Sequence, residues 1–281
     1  MRVVAIAGET LDAQTRLFID AVRRGGELAG IVQVRTKARK STRGARYRKR
    51  LRTDGLLRTL DFLGGVGVAA WLKPRWARRI DAALAGHAPD DVTEGVPVVD
   101  GGIANSSDEV RAIQSLEPDL TYQAGPGIVR ERVFTAAPRG MLHVHHGILP
   151  GIKGVASPEW AVIEREPAWL GVTVHLIDAG IDTGPLVAQG RPAVEAGDGW
   201  VDVRVKLSLL GARLIAEGLT ALDGGLEAVP QPPELRTEYR TSPVLSEWRA
   251  FRRNLPAFLR SQAGRDEEIR IGEYLPQGGG A

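Results

Sequence analysis

The chain has 281 residues, 43% of them hydrophobic and 25% charged, which is enough for one large domain or for one domain with a small second unit. It contains no cysteine, which excludes a disulfide scaffold, a thiolate metal site and a cysteine nucleophile. The first residues lack a signal-peptide core, and the longest apolar stretch, residues 62–72, is shorter than the ~20 residues of a membrane span. We therefore expect a cytoplasmic protein without a transmembrane segment.

The charge is unevenly distributed along the chain. Ten Lys and Arg residues and no acid lie between Arg35 and Arg52, so the remaining residues carry −7 once these ten are subtracted from the net charge of +3. Basic segments of this kind attract phosphates, nucleic acid or anionic lipid head groups. Two interpretations of this basic arm stay open: a solvated loop, or a site for an anionic, phosphate-bearing ligand.

The first part of the chain predicts a strand, a helix and a second strand. Residues 3–7 are apolar and end at Gly8, as in a buried parallel strand. Residues 17–24 suit a helix that ends at a glycine pair, and residues 28–34 suit the second strand. Residues 35–87 then predict a basic helical insertion, which combines the arm, an apolar patch with Trp71 and a second basic run.

After the insertion the alternation of strands and helices resumes. Strands are predicted at 96–99, 119–122, 141–145 and 170–177, and helices at 108–116, 129–136 and 201–222. This order predicts an α/β fold with a doubly wound, mostly parallel sheet and helices on both faces. We place one domain at 1–225 and, at 226–281, a proline-rich linker followed by a short helical C-terminal appendage.

Four of the five histidines lie between residues 143 and 175, which raises the question of a metal site. In a strand, His143 and His145 share one face, whereas His146 points to the other. No Asp, Glu or Cys follows them at metal-ligand spacing within the same loop. No metal is expected here.

Two longer motifs carry a stronger signal. Residues 142–154 read Leu-His-Val-His-His-Gly-Ile-Leu-Pro-Gly-Ile-Lys-Gly, and residues 172–185 read Val-Thr-Val-His-Leu-Ile-Asp-Ala-Gly-Ile-Asp-Thr-Gly-Pro. This pair resembles the 10-formyltetrahydrofolate-dependent formyltransferase family, whose methionyl-tRNA and sugar N-formyltransferase branches share an Asn-x-His and an Asp-x-Gly-x-Asp-Thr-Gly motif. The resemblance implies a Rossmann-like formyltransferase domain, an enzyme of one-carbon transfer, and 10-formyltetrahydrofolate as the formyl donor.

The resemblance also implies the site residues. His145 would be the catalytic imidazole, Asp182 its charge partner, and His143 the oxyanion donor where the family has Asn. Attack of an amine on a formyl carbon needs donors aimed at the developing negative charge and a group that manages the amine proton. The formyl donor would bind at loop residues implied by the same resemblance, namely Gly125, Pro126, Gly127, Ile128, Asp178, Gly180 and Ile181.

Two departures from the family pattern are visible. His143 replaces Asn, so its donor state depends on pH and tautomer. Lys153 stands where the family pattern has Arg, and its ammonium group cannot form the bidentate hydrogen bonds of a guanidinium. For His175 we expect a packing role, because it alternates with Val172 and Val174 in an apolar strand.

The acceptor stays open. The resemblance implies that the glycinamide-ribonucleotide branch seats a phosphate at the turn after the first strand, where Glu9 of this chain would repel it. The leading hypothesis is instead a primary amine of a small molecule, such as an amino sugar, an amino acid or a natural-product intermediate. The second is methionyl-tRNA, favoured by the basic arm but disfavoured by a C-terminal part too short for a β-barrel. A catalytically altered folate-binding or membrane-surface protein is the third, and a homodimer is compatible with each.

Overall fold

An eight-stranded sheet organises the chain, with the strand order β10-β8-β7-β5-β4-β1-β2-β3. The structure is a computed structural model that describes residues 1–36, 43–125, 127–232, 237 and 239–276, with the backbone alone for 43–49. The strands are β1 (Arg2–Gly8), β2 (Glu27–Arg35), β3 (Val98–Ile103), β4 (Leu120–Gln123), β5 (Met141–His145), β7 (Val172–Leu176), β8 (Leu186–Arg191) and β10 (Glu268–Ile271). Two short strands, β6 (Lys153–Gly154) and β9 (Tyr239–Arg240), pair separately.

The sheet has a parallel half and an antiparallel half. Strands β3, β2, β1, β4 and β5 pair in parallel, as their alternation with helices predicted. The neighbours β5, β7, β8 and β10 pair antiparallel. The predicted α/β class with a mostly parallel sheet is therefore confirmed, although β8 and β10 were not predicted as strands.

Helices cover both faces of the sheet. Helices α1 (Ala13–Gly25) and α6 (Trp200–Asp223) belong to the larger hydrophobic core, together with residues of α5 (Ser157–Glu164). Helices α3 (Ser107–Gln114) and α4 (Glu131–Phe134) contribute to a second core on the opposite side. Strand β1 supplies alternate residues to both cores, which explains why it reads as a continuous apolar run.

The predicted helical insertion is α2 (Arg43–Leu84). Gly55 interrupts it with φ +80°, a left-handed conformation that glycine adopts without steric cost. The guanidinium carbon of Arg50 lies 4.0 Å from the centre of the Phe62 ring. Twelve residues of straight helix would separate them by ~18 Å, so the chain turns back sharply at Gly55.

Helix α2 also bears on the question of a membrane span. Within the described residues, its segment 50–84 is long and apolar enough to cross a membrane by length and composition, and 11% of its most apolar window is buried. The short apolar stretch at 62–72 predicts no such span from the sequence alone. One helix of this kind does not establish a span, because core helices of other proteins share its length and composition.

The C-terminal region differs from the expected helical appendage. It contains α7 (Leu245–Gln262), whose Trp248, Phe251 and Phe258 are buried in the main core. Strand β10 follows and forms the edge of the main sheet against β8. Its pairing depends on a partner far away in sequence, which local periodicity does not reveal.

Candidate active site

The pairing of β5 with β7 gathers three histidines on one face of the sheet. His143 lies opposite His175 and His145 opposite Thr173, while Val144 and Val174 point to the other face. The His143 and His175 rings meet edge to face with 5.7 Å between their centres. Two strands that each alternate with period two thus create a cluster of imidazoles at the end of β5.

Asp182 reaches this cluster on the loop that follows β7. Its Oδ2 accepts a hydrogen bond from the Gly154 N–H at 2.9 Å and lies 3.6 Å from His145 Nδ1. Its Oδ1 lies 3.9 Å from His175 Nε2. Gly184 allows the loop to close, because a Cβ there would lie 1.9 Å from the Leu176 carbonyl oxygen. The predicted pair of His145 and Asp182 is thus brought together.

Both ring nitrogens of His145 face oxygen atoms. Nε2 lies 3.1 Å from the Ile152 carbonyl oxygen, and Nδ1 faces the Asp182 carboxylate. A neutral imidazole carries one N–H and can donate to only one of these acceptors. A second proton on the ring would form an ion pair with the Asp182 carboxylate. The geometry therefore favours uptake of a proton by His145.

Burial opposes that uptake. His145 is 6% exposed and His175 is 2% exposed, and burial lowers the pKa of both rings while the Asp182 charge raises it. For Asp182, burial raises the pKa, but the His145 and His175 rings and the Gly154 N–H outweigh it, so the pKa lies below its ordinary value. At neutral pH the cluster holds an ionised carboxylate beside uncharged imidazoles.

His143 has a different hydrogen-bonding environment from His145. Its Nδ1 lies 3.3 Å from the Gln123 carbonyl oxygen, and burial, followed by the nearby His175, lowers the pKa of His143 to about 4. With Nδ1–H donating to that carbonyl, Nε2 carries a lone pair rather than a proton. In this tautomer the neutral ring has no N–H left to stabilise an oxyanion, unlike the amide that the family pattern has here.

Two cavities meet at this cluster. The larger one, about 370 Å³, is lined on one side by His145, His146, Glu159 and Arg204 and on the other by α1 and α2. The smaller one, about 110 Å³, is lined by His143, His175 and Asp182 together with Gln123, Gly127, Ile128, Val129, Ile177, Asp178, Gly180 and Ile181. Because His145 lines one cavity and its partner Asp182 lines the other, the pair lies between them.

The smaller cavity contains most of the predicted donor-binding residues. Gly125 lies beside it and accepts a hydrogen bond from the Gln123 side chain at 2.9 Å, whereas Pro126 is outside the described residues. Asp178 braces the loop by accepting from the Gly180 N–H at 3.0 Å and the Thr183 hydroxyl at 2.7 Å. Eight of the eleven lining residues thus come from the loop segments 127–129 and 177–182.

Comparison with known proteins gives this site a family. Residues 98–218 match the family described as Formyl transferase, and the match includes His143, His145 and Asp182. The match covers less than half of the chain, which is thus similar to this family over the segment that holds the site. A methionyl-tRNA formyltransferase of Koribacter versatilis is 33% identical over 170 residues, which are 59% of this chain and 51% of that protein. One of Delftia acidovorans is 34% identical over 175 residues, 58% of this chain and 53% of that protein.

The chain thus spans about half the length of the curated relatives that it matches. Among solved structures, glycinamide ribonucleotide transformylase 1 of Symbiobacterium toebii is similar with a TM-score of 0.50 and 20% identity, covering 80% of this chain and 89% of that one. Phosphoribosylglycinamide formyltransferase of Anaplasma phagocytophilum gives a TM-score of 0.52 and 14% identity, with 85% and 97% covered. At these identities the likeness shows the fold, which is that of a formyl transferase.

Two residues of the site were not predicted from the sequence. His175 was expected to pack, yet it shares Asp182 with His145 and its Nε2 has no hydrogen-bond partner among the described residues. Gln123 ends β4, lines the smaller cavity, and has a buried Oε1 without a partner in the described part. A polar residue at the end of each strand was the available signal. In the same part of the chain, no group of three or more His, Asp or Glu residues is arranged to hold a metal ion.

Proposed function

We propose that this protein transfers a formyl group from 10-formyltetrahydrofolate to a primary amine of a small acceptor. The observation that carries the proposal is the position of the His145–Asp182 pair between two cavities of different size. The smaller cavity would hold the reacting end of the donor, and the larger one would hold the acceptor. A volume of about 370 Å³ falls in the range of small-molecule sites.

The residues of the smaller cavity fit a folate. A flat ring with polar edges needs unpaired hydrogen-bonding groups on one side and apolar contacts on the other. Gln123 Oε1 is a buried acceptor without a partner among the described residues, and Ile128 and Ile181 are 73% and 43% exposed beside the glycines. The cavity itself accommodates only part of such a ring, so the remainder would lie against these two isoleucines.

His145 and Asp182 would manage the proton of the attacking amine. The amine nitrogen would bond to the formyl carbon while the bond from that carbon to N10 of the donor breaks. The neutral His145 ring would take up the proton that the amine loses, with the ionised Asp182 stabilising the imidazolium through Nδ1, and the proton would then pass to N10 of the leaving tetrahydrofolate. Between these two transfers His145 would hold a positive charge next to the formyl oxygen, where negative charge develops in the transition state. His143 lines the donor side, and its neutral form would accept rather than donate a hydrogen bond through Nε2.

The charge of the larger cavity restricts the acceptor. Asp12 accepts from the Thr15 N–H at 2.8 Å, and Asp81 of α2 accepts from the Ala13 N–H at 2.6 Å. Two carboxylates therefore occupy the start of α1, which is the kind of helix terminus that binds phosphate. We infer an acceptor without a phosphate at this position, which extends the argument from Glu9.

The test is a turnover assay with 10-formyltetrahydrofolate and a panel of amino acids and amino sugars. Tetrahydrofolate release should depend on the amine and should be lost in the His145→Ala variant. Calorimetry with a non-hydrolysable donor analogue should give a dissociation constant in the micromolar range, about −8 kcal/mol. If the donor is hydrolysed at a rate that no amine increases, the proposal is wrong. If the donor analogue does not bind, the likeness to formyl transferases is one of fold alone.

A second candidate acceptor is methionyl-tRNA, because the relatives reported above carry that name and the arm at 35–52 is basic. Of the described arm residues, Arg35 bonds to Asp100 at 3.0 Å and Arg50 to Asp54 at 3.0 Å, so both are already paired. If tRNA is the acceptor, reversing the charge at Arg46, Arg48, Lys49 and Arg50 should abolish retention of tRNA while donor binding persists. Failure of the unaltered protein to shift tRNA at low salt would eliminate this candidate.

A further inference from the structure

An exposed apolar stripe runs along α2. Leu56, Leu60, Leu63, Gly67 and Trp71 follow one another at spacings of four, three, four and four residues, which places them on one face of a helix. The three leucines and Trp71 are 38–62% exposed. Exposed apolar residues on folded proteins are normally scattered singly. A continuous row therefore indicates a surface for a partner, which we call the α2 stripe.

The opposite side of α2 is fixed to the protein body. Gly65 packs so closely that a Cβ there would lie 2.5 Å from Val244 Cα. Asp61 accepts hydrogen bonds from the N–H and the hydroxyl of Ser246, both at 2.7 Å. Trp76 packs against Trp248 with ring centres 6.0 Å apart. A helix that crossed a membrane would lose these contacts, whereas a helix lying on a membrane surface would keep them.

The charges around the stripe are complementary to an anionic surface. The acids of the segment 50–84 are engaged: Asp54 pairs with Arg50, Asp61 bonds to Ser246, and Asp81 caps α1. Within the described residues, the cations of the same segment that make no ion pair and do not line the larger cavity are Arg52, Arg58, Arg75, Arg78 and Arg79. The unbalanced charge of this segment is therefore positive.

A groove beside the stripe combines the same two properties. It lies between α2 and α7, has a volume of about 1060 Å³, and includes Trp71, Leu72 and Trp248. Arg249, Arg252 and Arg253 of α7 also line it. Tryptophan rings prefer the boundary between lipid head groups and hydrocarbon, and long arginine side chains reach from apolar surface to the charged head groups.

We propose that the α2 stripe and this groove dock on an anionic membrane surface. The leucines and Trp71 enter at the level of the head groups, and the arginines contact acidic lipids. Nucleic acid fits less well, because a phosphate backbone offers no partner for a row of leucines. Helix α2 lies outside the segment matched to the family. Lys73, Trp76 and Ile80 on its inner side line the larger cavity, which docking would bring next to the lipid.

The test is flotation of the purified full chain with vesicles of phosphatidylcholine alone or mixed with phosphatidylglycerol, at low and high salt. Leu60→Glu with Trp71→Glu should weaken binding to the anionic vesicles by about tenfold or more. Arg78→Ala and Arg79→Ala, tested one at a time, should each weaken binding to the anionic vesicles by about fivefold, and only at low salt. Ile103→Glu is the matched control. Ile103 is 46% exposed on β3, which contributes no residue to the stripe, so this variant should bind the vesicles like the unaltered protein.

Three outcomes would overturn the proposal. The first is absence of binding, or equal binding to both kinds of vesicle. The second is a dimer in sedimentation velocity that Leu60→Glu dissociates, which would assign the stripe to a second copy of the chain. The third is tRNA binding that the arginine variants abolish without any vesicle binding. Circular dichroism and thermal unfolding of each variant verify that the fold is retained, so a loss of binding reports on the surface itself.

Discussion

Replacing His143 with asparagine should flatten the acid side of the stability profile. In the folded protein, burial lowers the pKa of His143 from 6.5 to about 4. Between these values the unfolded chain binds a proton that the folded chain does not, so stability is fully present above pH ~6.5 and is lost as the pH falls. The linkage relation gives a loss from this ring of about 0.8 kcal/mol at pH ~6 and about 2 kcal/mol at pH ~5. Asparagine takes up no proton, so this part of the loss should disappear.

Urea unfolding at about pH 7.5, 6 and 5 measures the effect. The stability of the two proteins should differ by a constant offset plus a pH-dependent part that grows to about 2 kcal/mol at the lowest pH. His87→Asn is the matched control, because His87 is exposed and its replacement should leave the profile parallel to that of the unaltered protein. If the His143→Asn profile is also parallel, the pKa argument for this ring is wrong. Turnover should be retained or raised in His143→Asn, because the amide always offers an N–H donor.

Three further predictions concern the site and its loops. His145→Ala and Asp182→Asn should each reduce turnover by ~10²–10⁴-fold, and the double variant should be little worse; fully additive losses in initial-rate assays would show that the two do not act as a unit. Gly184→Ala should lower the free energy of unfolding by about 3 kcal/mol because its Cβ meets backbone, whereas Gly67→Ala, with open space around it, should stabilise by about 0.5–1 kcal/mol in the same urea assay. Gln123→Leu should weaken donor-analogue binding about tenfold in calorimetry; unchanged affinity would exclude its amide from the donor site.

The parts of the fold that follow from local periodicity could be predicted from the sequence. The apolar run of β1 and the alternation of His143 and His145 in β5 each depend on neighbouring residues alone. The meeting of His145 with Asp182 was implied by the resemblance of two motifs to the formyltransferase family. The contacts that depend on distant pairing could not be predicted. Strand β10 becomes visible only beside β8, and His175 joins the cluster only through the register of β7 on β5.

The protonation of His143 was also beyond the sequence. The motif gave its position in place of an amide, but its tautomer depends on the Gln123 carbonyl, which belongs to the neighbouring strand. Its low pKa depends on burial and on His175. The earlier expectation that the ring would donate to an oxyanion was based on residue type, whereas the surroundings of the ring decide which nitrogen carries the proton.

Two opposing effects on His145 provide the physical basis for a proton acceptor in this site. Burial keeps the ring neutral before reaction, so that it can take up a proton. The Asp182 charge and the Ile152 carbonyl oxygen then stabilise the doubly protonated ring, because each nitrogen already faces an acceptor. The two effects oppose each other, because burial lowers the pKa of His145 while the Asp182 charge raises it. In the proposed reaction, the loop between Leu176 and Gly184 would contribute by fixing the distance between a carboxylate and an imidazole.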